Sequence, residues 1–540
     1  MHPAEGRVVD DPARTEKLTS HTVTDSLPLL NHSSRQGLDL MNISWTRPFS
    51  VSLSGLLMLI GGAPPTPAAA QHALAGNIDR HLQELPFSRT HWGIVVVDEG
   101  GRELYARNAD QLFVPASNTK LVVSAAASAL LPPDFSLKTS VYATGPIRDG
   151  VLEGDLVVYG RGDPTFSARC YGVDTLAAGA CDSLWLKIDA LAEGIVAQGV
   201  HYVVGAIVGD GSYFDAEFVH PAWESYDLNW WYAAPVSALG FNHNSLDVTY
   251  GPGDAVNAPA RIALQPDLGI YLFENRARTL AAPERRTIDF FREPGTVRIW
   301  ADGGVPLGAR ERTEYFAVPD PNAYFAAALR SALARLGVSI GGPTRSTTDS
   351  LQYQASRAGT PIAEVDSRPL TDIMFPILNS SQNWFAEMLL KTLGKQLQGE
   401  GSWRAGIEVE RGFLTDSVGV DSTAYYLSDG SGLSSGNLLT PRAFADLLRY
   451  MLHHPNNGGF LRGLPRSGAR GSLEQRFVGT PLEGSVVAKT GSISHVNTLA
   501  GYIEQPDGTA LVFAVMANNH AARYADMVAK IDSIVVAIGR

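Results

Sequence analysis

Strand-forming segments crowd both ends of this 540-residue chain, and that placement constrains its fold more than any other feature. Near the start, Trp92–Asp98, a Glu99-Gly100-Gly101 turn and Glu103–Arg107 read as a β-hairpin, followed by the Ala-rich helical segment Asn118–Leu131. Near the end, Val486–Lys489, Thr498–Ile503 and Ala510–Met516 read as strands, with a Pro506-Asp507-Gly508 turn and a closing helix at Ala521–Ile538. One sheet can recruit strands from both ends. The chain then reads as a domain split by a long insertion, with residues 71–136 and 360–540 as one unit.

The inserted stretch has a different texture. Short alternating segments such as Ser140–Thr144 and Gly154–Tyr159 stand between Gly and Pro turns. Residues 137–249 and 316–359 read as one inserted domain, and 250–315 as a nested β-rich domain with strands at Arg261–Leu264, Ile270–Phe273 and Thr296–Ala301. Helical spacing marks Asn322–Leu336, then Asp366–Leu393 and Gly406–Leu414 in the C-terminal part, and Thr440–His453 opens on Thr440-Pro441.

Hydrophobic residues at 45% and charged residues at 18% describe an ordinary globular chain, long enough for a sizeable core. A net charge of −12 with eight lysines and no basic block excludes a nucleic-acid footprint. No apolar run reaches the ~18 residues of a membrane-spanning helix. Met41 opens a segment with a positive Arg47, an apolar Val51–Ile60 and an Ala68-Ala69-Ala70 cleavage pattern. Residues 1–40 are therefore expected to be an upstream extension and 41–70 a signal peptide, which sends the chain out of the cytoplasm, to the periplasm or its equivalent. In that setting the two cysteines, Cys170 and Cys181, favour a disulfide over a pair of buried thiols.

Three short elements carry chemistry. Ser117-Asn118-Thr119-Lys120 opens a helix, and its i, i+3 spacing puts hydroxyl and amine on one face. A serine is a weak nucleophile until a neighbouring base takes its proton, and a desolvated lysine can be that base. Ser381-Gln382-Asn383 precedes a helical run and offers a hydroxyl and a carboxamide. Lys489-Thr490-Gly491 continues the strand begun by Val486, where a cation and a hydroxyl can grip a carboxylate and glycine admits close approach. Each alone has a plainer reading, as a capping serine, a turn or a strand end. Their order in a chain with eight lysines makes coincidence improbable.

In these motifs the chain resembles the penicillin-recognising serine acyl-transferases. The 264 positions from Ser117 to Ser381 point within that group to the class C low-molecular-mass penicillin-binding proteins, the D-alanyl-D-alanine carboxypeptidase/endopeptidase family. Asn242-His243-Asn244-Ser245, Asp429-Gly430-Ser431-Gly432-Leu433-Ser434 and Gly471-Ser472-Leu473 look like that family as well. The resemblance implies an α/β (α+β) fold: a serine β-lactamase/transpeptidase-like domain with a five-stranded antiparallel sheet flanked by helices, interrupted by inserted β-rich domains.

It also implies roles. Ser117 would be the acylated nucleophile and Lys120 its base, Ser381 and Lys489 would manage the proton of the leaving amine, and Asn383 would hold the substrate amide. Thr490, Gly491 and Ser492 would line the carboxylate and oxyanion positions. Asp227 would face the substrate side chain; around it Trp223, Trp230, Trp231 and Tyr232 form an aromatic cluster that is either core packing or a wall of the substrate cleft, Tyr232 being the candidate for substrate contact. The implied partners are peptidoglycan stem peptides and cross-links, and β-lactams, with no metal or other cofactor. A β-lactam-hydrolysing esterase and a silent peptidoglycan-binding scaffold are the alternatives. One departure stands out: the family usually has Arg where Ser435 follows Ser434.

Overall fold

Alternation along the terminal strands sends apolar side chains to both faces of a sheet, and the fold covers both. The computed structural model describes residues 67–169, 183–293 and 295–539. Cys170 and Cys181 lie outside the described residues, as do residues 1–66. The chain divides into two units, residues 1–73 and 74–540, and every motif residue belongs to the second.

Five strands form one antiparallel sheet in the order Glu103–Arg107, His91–Asp98, Ala510–Asn518, Val496–Glu504, Val486–Ile493. Ile94, Val96, Phe513 and Val515 point to one face, where they meet Ile78 and Leu82 of the helix Pro67–Gln83 and Met527, Ile531 and Ile534 of the helix Tyr524–Ile538. Val95, Val97, Val512 and Ala514 point to the other, against Leu121 and Val122 of the helix Lys120–Leu130 and Phe444 and Leu447 of the helix Pro441–His453. Burial on both sides explains why these strands read as nearly unbroken apolar runs. Thr440 caps its helix as expected, its hydroxyl accepting from Ala443 N at 3.0 Å ahead of Pro441.

A second five-stranded sheet has the order Thr344–Thr347, Ile207–Asp210, Leu156–Gly160, Lys138–Ala143, Ala363–Asp366. Helices Leu186–Ala197 and Pro321–Arg335 pack into its core. Ala363–Asp366, which falls after the boundary at 360, pairs with Lys138–Ala143 and so belongs with the inserted strands. Between Ser245 and Ala317 lie smaller sheets, one with Ser245–Gly251 between Arg261–Gln265 and Arg312–Ala317, another with Arg298–Asp302 between Leu272–Asn275 and Asp289–Arg292.

The helical run expected over Asp366–Leu393 is two helices, Leu370–Asn379 and Asn383–Gln398. Ser381 is left-handed between them at φ 59°, and Gln382 N closes back on Pro376 O at 3.0 Å. That break turns the Ser381 hydroxyl inward and starts a new helix at Asn383.

Candidate active site

Ser117 rides on a short 3-10 turn, Ala116–Thr119, that runs directly into the helix Lys120–Leu130. Ala116 is left-handed at φ 48°, a strain that persists only where neighbours hold it. Thr119 Oγ1 donates to Ala116 O at 3.0 Å, and Thr498 Oγ1 donates to Pro115 O at 2.8 Å. The helical spacing read from the sequence returns the fully buried Lys120 to the serine, with Nζ 3.0 Å from Ser117 Oγ. The same nitrogen donates to Asn383 Oδ1 at 2.7 Å and to Ser431 O at 2.6 Å. With two N–H groups committed to fixed acceptors, an uncharged Lys120 has its lone pair left for the Ser117 hydroxyl.

The second and third motifs meet on the opposite side. Lys489 Nζ donates to Ser381 Oγ at 2.9 Å and to Thr490 O at 2.7 Å. Burial, and then the neighbouring charge of Lys120, hold the Lys489 amine well below the usual lysine range. Gly491 lets the outermost strand approach the serine turn, because a Cβ there would meet Pro115 O at 2.5 Å and Asn118 N at 3.1 Å. Thr490 and Ser492 are half-buried along this strand. Thr490 Oγ1 donates to Ser472 Oγ at 3.2 Å, and Ser492 Oγ accepts from Asn497 Nδ2 at 3.2 Å.

One face of the helix Asn383–Gln398 anchors the loops around this centre. Asn383, Glu387 and Lys391 recur every fourth residue and so stack along one side. Asn383 Nδ2 donates to Tyr232 O at 2.8 Å, while its Oδ1 accepts from Lys120, so both ends of the carboxamide read for substrate already have protein partners. Buried Glu387 accepts Ser431 N on Oε1 at 2.7 Å, and Gly430 N and Trp403 Nε1 on Oε2 at 3.1 and 2.8 Å. Burial first, and then the charge of Asp429, push its carboxyl up to about 7 against the pull of those donors. Lys391, fully buried, donates to Asp215 Oδ1 at 2.7 Å and Glu217 O at 2.5 Å, and lies 3.7 Å over the Trp403 ring.

The segment from Asp429 to Ser434 wraps a second carboxylate. Asp429 accepts from Gly432 N, Ser434 N and Asn437 Nδ2, each at 2.8 Å, and from Trp223 Nε1 at 2.9 Å. Trp223 thus belongs to the core and to this loop. Tyr232, Trp230 and Trp231 are half-buried, and Tyr232 Oη donates to Asp227 Oδ1 at 2.8 Å. Ser435 is exposed.

The motif residues Ser117, Lys120, Ser381, Asn383 and Lys489 therefore stand together, with Thr490, Gly491 and Ser492 along the adjoining strand. Tyr232 joins them through its carbonyl and Asp227 through Tyr232. Sequence reasoning picked out the stretches that begin at Trp403 and at Asp429, the latter holding Ser431, only for their likeness to the family and gave Trp403 and Ser431 no role; Glu387 was not singled out, although the i, i+4 step from Asn383 to Glu387 was a usable signal. Among the described residues no cluster of three or more His, Cys, Asp or Glu side chains is placed to hold a metal ion, and no described helix is long and apolar enough to cross a membrane.

The arrangement offers a hydroxyl beside a buried amine, a second amine–hydroxyl pair and a strand edge carrying hydroxyls, the parts that acyl transfer requires. Residues 74–537 match the model of the D-Ala-D-Ala carboxypeptidase 3 (S13) family. The chain is 34% identical over 488 residues to a D-alanyl-D-alanine carboxypeptidase of Actinomadura sp. (strain R39), covering 87% of this chain and 86% of that one. It is 25% identical over 482 residues to the D-alanyl-D-alanine carboxypeptidase DacB of Haemophilus influenzae, covering 87% and 93%. The crystal structure of penicillin binding protein 4 (dacB) from Haemophilus influenzae superposes with a TM-score of 0.74 at 22% identity, over 85% of this chain and 98% of that one.

Proposed function

The chain belongs to the D-Ala-D-Ala carboxypeptidase 3 (S13) family and is a penicillin-binding serine DD-peptidase, and from that premise we propose which residues carry the reaction. Ser117 Oγ attacks the carbonyl between two D-alanines while its proton passes to Lys120 Nζ. The backbone N–H groups of Ser117 and Ser492 take the developing oxyanion, a donor pair of the kind worth ~2.7–4 kcal/mol per donor removed. Collapse of the tetrahedral species breaks the C–N bond, and the Ser381–Lys489 pair delivers a proton to the departing amine. Water then releases the acyl group from Ser117.

The observation that carries this reading is the threefold setting of Lys120 Nζ, on Ser117 Oγ, Asn383 Oδ1 and Ser431 O. Thr490, with Lys489 behind it, receives the terminal carboxylate of the peptide, or the carboxylate of a β-lactam. Asn383 keeps a second lone pair on Oδ1 for a substrate N–H. Asp227, held by Tyr232, attracts a free amine on the stem-peptide side chain, and Ser435 supplies no cation for an extra carboxylate. The substrates are stem peptides and cross-links of peptidoglycan, and the signal-like segment Met41–Ala70 supports work outside the cytoplasm.

Labelling with penicillin followed by peptide mapping tests the nucleophile. The adduct is expected on Ser117 and is lost in Ser117→Ala and Lys120→Ala; an adduct on another serine refutes the assignment. Digestion of purified muropeptides then separates the activities, since loss of D-alanine from a pentapeptide and splitting of a cross-linked dimer give different products. Rapid turnover of the penicilloyl adduct would instead mark a β-lactam-hydrolysing esterase, and no cleavage of either muropeptide a binding scaffold.

A further inference from the structure

Behind Lys120, remote from the motif hydroxyls, lies a buried acidic group that the motif residues do not use. Glu387 accepts Ser431 N, and the same residue's carbonyl accepts from Lys120. The backbone of Ser431 alone separates the carboxylate from the amine, its N–H on the one and its C=O on the other. Gly430 N and Trp403 Nε1 fill the other carboxylate oxygen, so the side chain cannot turn away without stranding buried donors.

We propose that Glu387 is a positioning residue for acylation: its ionised carboxylate holds the Gly430–Ser431 backbone so that the Ser431 carbonyl keeps the Lys120 amine aimed at Ser117. The inference rests on Lys120 acting as base. A charged carboxylate accepts three N–H groups with ease, whereas a protonated one places a hydrogen among donors and must release at least one of them. The released donor lies on the loop that steers Lys120. Acylation therefore falls when Glu387 takes up a proton.

The surroundings make that proton accessible near neutrality. Asp429 faces Glu387 from the loop and raises its affinity for a proton, while Glu410, on the helix Trp403–Gly412, is itself raised by burial and then by the charges of Glu387 and Asp429. Lys391 stands one turn along the same helix, and His220, edge-on to Trp403 at 5.2 Å, has its pKa lowered chiefly by burial. Burial first and then the charge of Asp429, balanced against the three N–H donors, place the carboxyl at about 7. The active form is the deprotonated one, so the acid limb of acylation is expected near that pH.

The experiment measures the second-order rate of penicillin acylation from pH 5.5 to 9 on the full chain, with thermal melting of each variant. In Glu387→Gln the rate at pH 8 is expected to fall about tenfold, equivalent to ~1.4 kcal/mol, and the step centred near pH 7 to vanish. Trp403→Phe deletes one donor to the carboxylate, which raises its pKa, and the acid limb is expected to move up by about one pH unit. An unchanged profile shape in Glu387→Gln, or an unmoved limb in Trp403→Phe, overturns the proposal, and Trp403→Phe decides alone if Glu387→Gln does not fold. Persistent Ser117 labelling in Lys120→Ala would instead sink the base assignment, independently of either profile.

Discussion

Replacing Gly432 by alanine tests whether the loop and the serine turn are locked to one another. Gly432 is left-handed at φ +76°, and a Cβ built on it would stand 1.9 Å from Ala116 O and 2.5 Å from Ala116 C. An unstrained C···O contact is ~3.3 Å, so the two backbones must part by roughly 1.4 Å. Neither is free to yield. The loop is tied through Ser431 N to Glu387 and through Gly432 N to Asp429, and Ala116 through Thr119. Whichever gives, Ser431 O leaves Lys120 or Ser117 leaves its amine. A misplacement of ~1 Å near reacting groups costs on the order of 100-fold in rate, or ~2.7 kcal/mol of barrier. The left-handed φ adds ~1–2 kcal/mol of lost stability. Gly419→Ala is the control, being left-handed at φ +85° with nothing within 4 Å of its Cβ. Both variants are expected to melt a few degrees lower, but only Gly432→Ala to lose acylation about 100-fold. Acylation of Gly432→Ala within threefold of the parent would refute the reasoning.

Lys391→Met removes a fully buried cation from Asp215, whose side chain retains 26% exposure; because water can reach the abandoned carboxylate, the loss should be about 2–3 kcal/mol, below that of a wholly buried pair, read by denaturant unfolding. Glu410 is buried with neither carboxylate oxygen bonded, and desolvation raises its pKa well above the usual range. The folded state therefore keeps a proton that the unfolded chain releases above its ordinary pKa of ~4.3, so stability is full below that value and is lost as pH rises toward the folded pKa. Glu410→Gln cannot ionise, so its melting temperature relative to the parent should climb from pH 4.5 to pH 8; a constant difference would contradict the assignment. Asp227→Ala should lower kcat/KM most for peptides with a free side-chain amine, and equal losses across paired peptides would make the aspartate structural.

What was legible in the sequence was whatever repeats with a backbone period. The hairpin Trp92–Arg107 and the three C-terminal strands declared themselves as short apolar runs bounded by turns, and the strands only lengthened in the structure, as Val486–Lys489 became Val486–Ile493. Ser117 and Lys120 were legible because i, i+3 on a helix is a contact. The helix that follows Ser381 was legible, but the break before it was not, since apolar spacing runs on through Pro376 and the φ of 59° at Ser381 leaves no mark in composition. The strand Asp289–Arg292 was missed because DFFR has too few residues to show a period. Glu387 was missed because a Glu inside a helix reads as solvent-facing, and only tertiary contact brings the Gly430–Ser431 amides over it. Asn383 was read for the substrate alone, whereas folding also sets it between Lys120 and Tyr232 O.

The two buried lysines explain why so few chemical groups suffice. Lys120 and Lys489 are both fully buried, and the charge of Lys120 is one of the two causes that depress Lys489. Two ammonium groups in such proximity repel, so the pair favours holding one proton rather than two. Each amine has its own hydroxyl, Ser117 for Lys120 and Ser381 for Lys489. In the proposed reaction, a proton taken from Ser117 onto Lys120 would strengthen the tendency of the Lys489 side to give one up, and the Ser381 hydroxyl hydrogen-bonded to Lys489 would be its outlet. On that proposal attack and departure would be coupled through repulsion between the two amines, with neither a histidine nor a carboxylate in the relay. The buried acids stand one layer back, where Glu387 and Asp429 fix backbone amides. Were either carboxylate in direct contact with Lys120 it would hold the ammonium form and silence the base. The intervening Ser431 peptide keeps that charge at a distance while passing on its orientation.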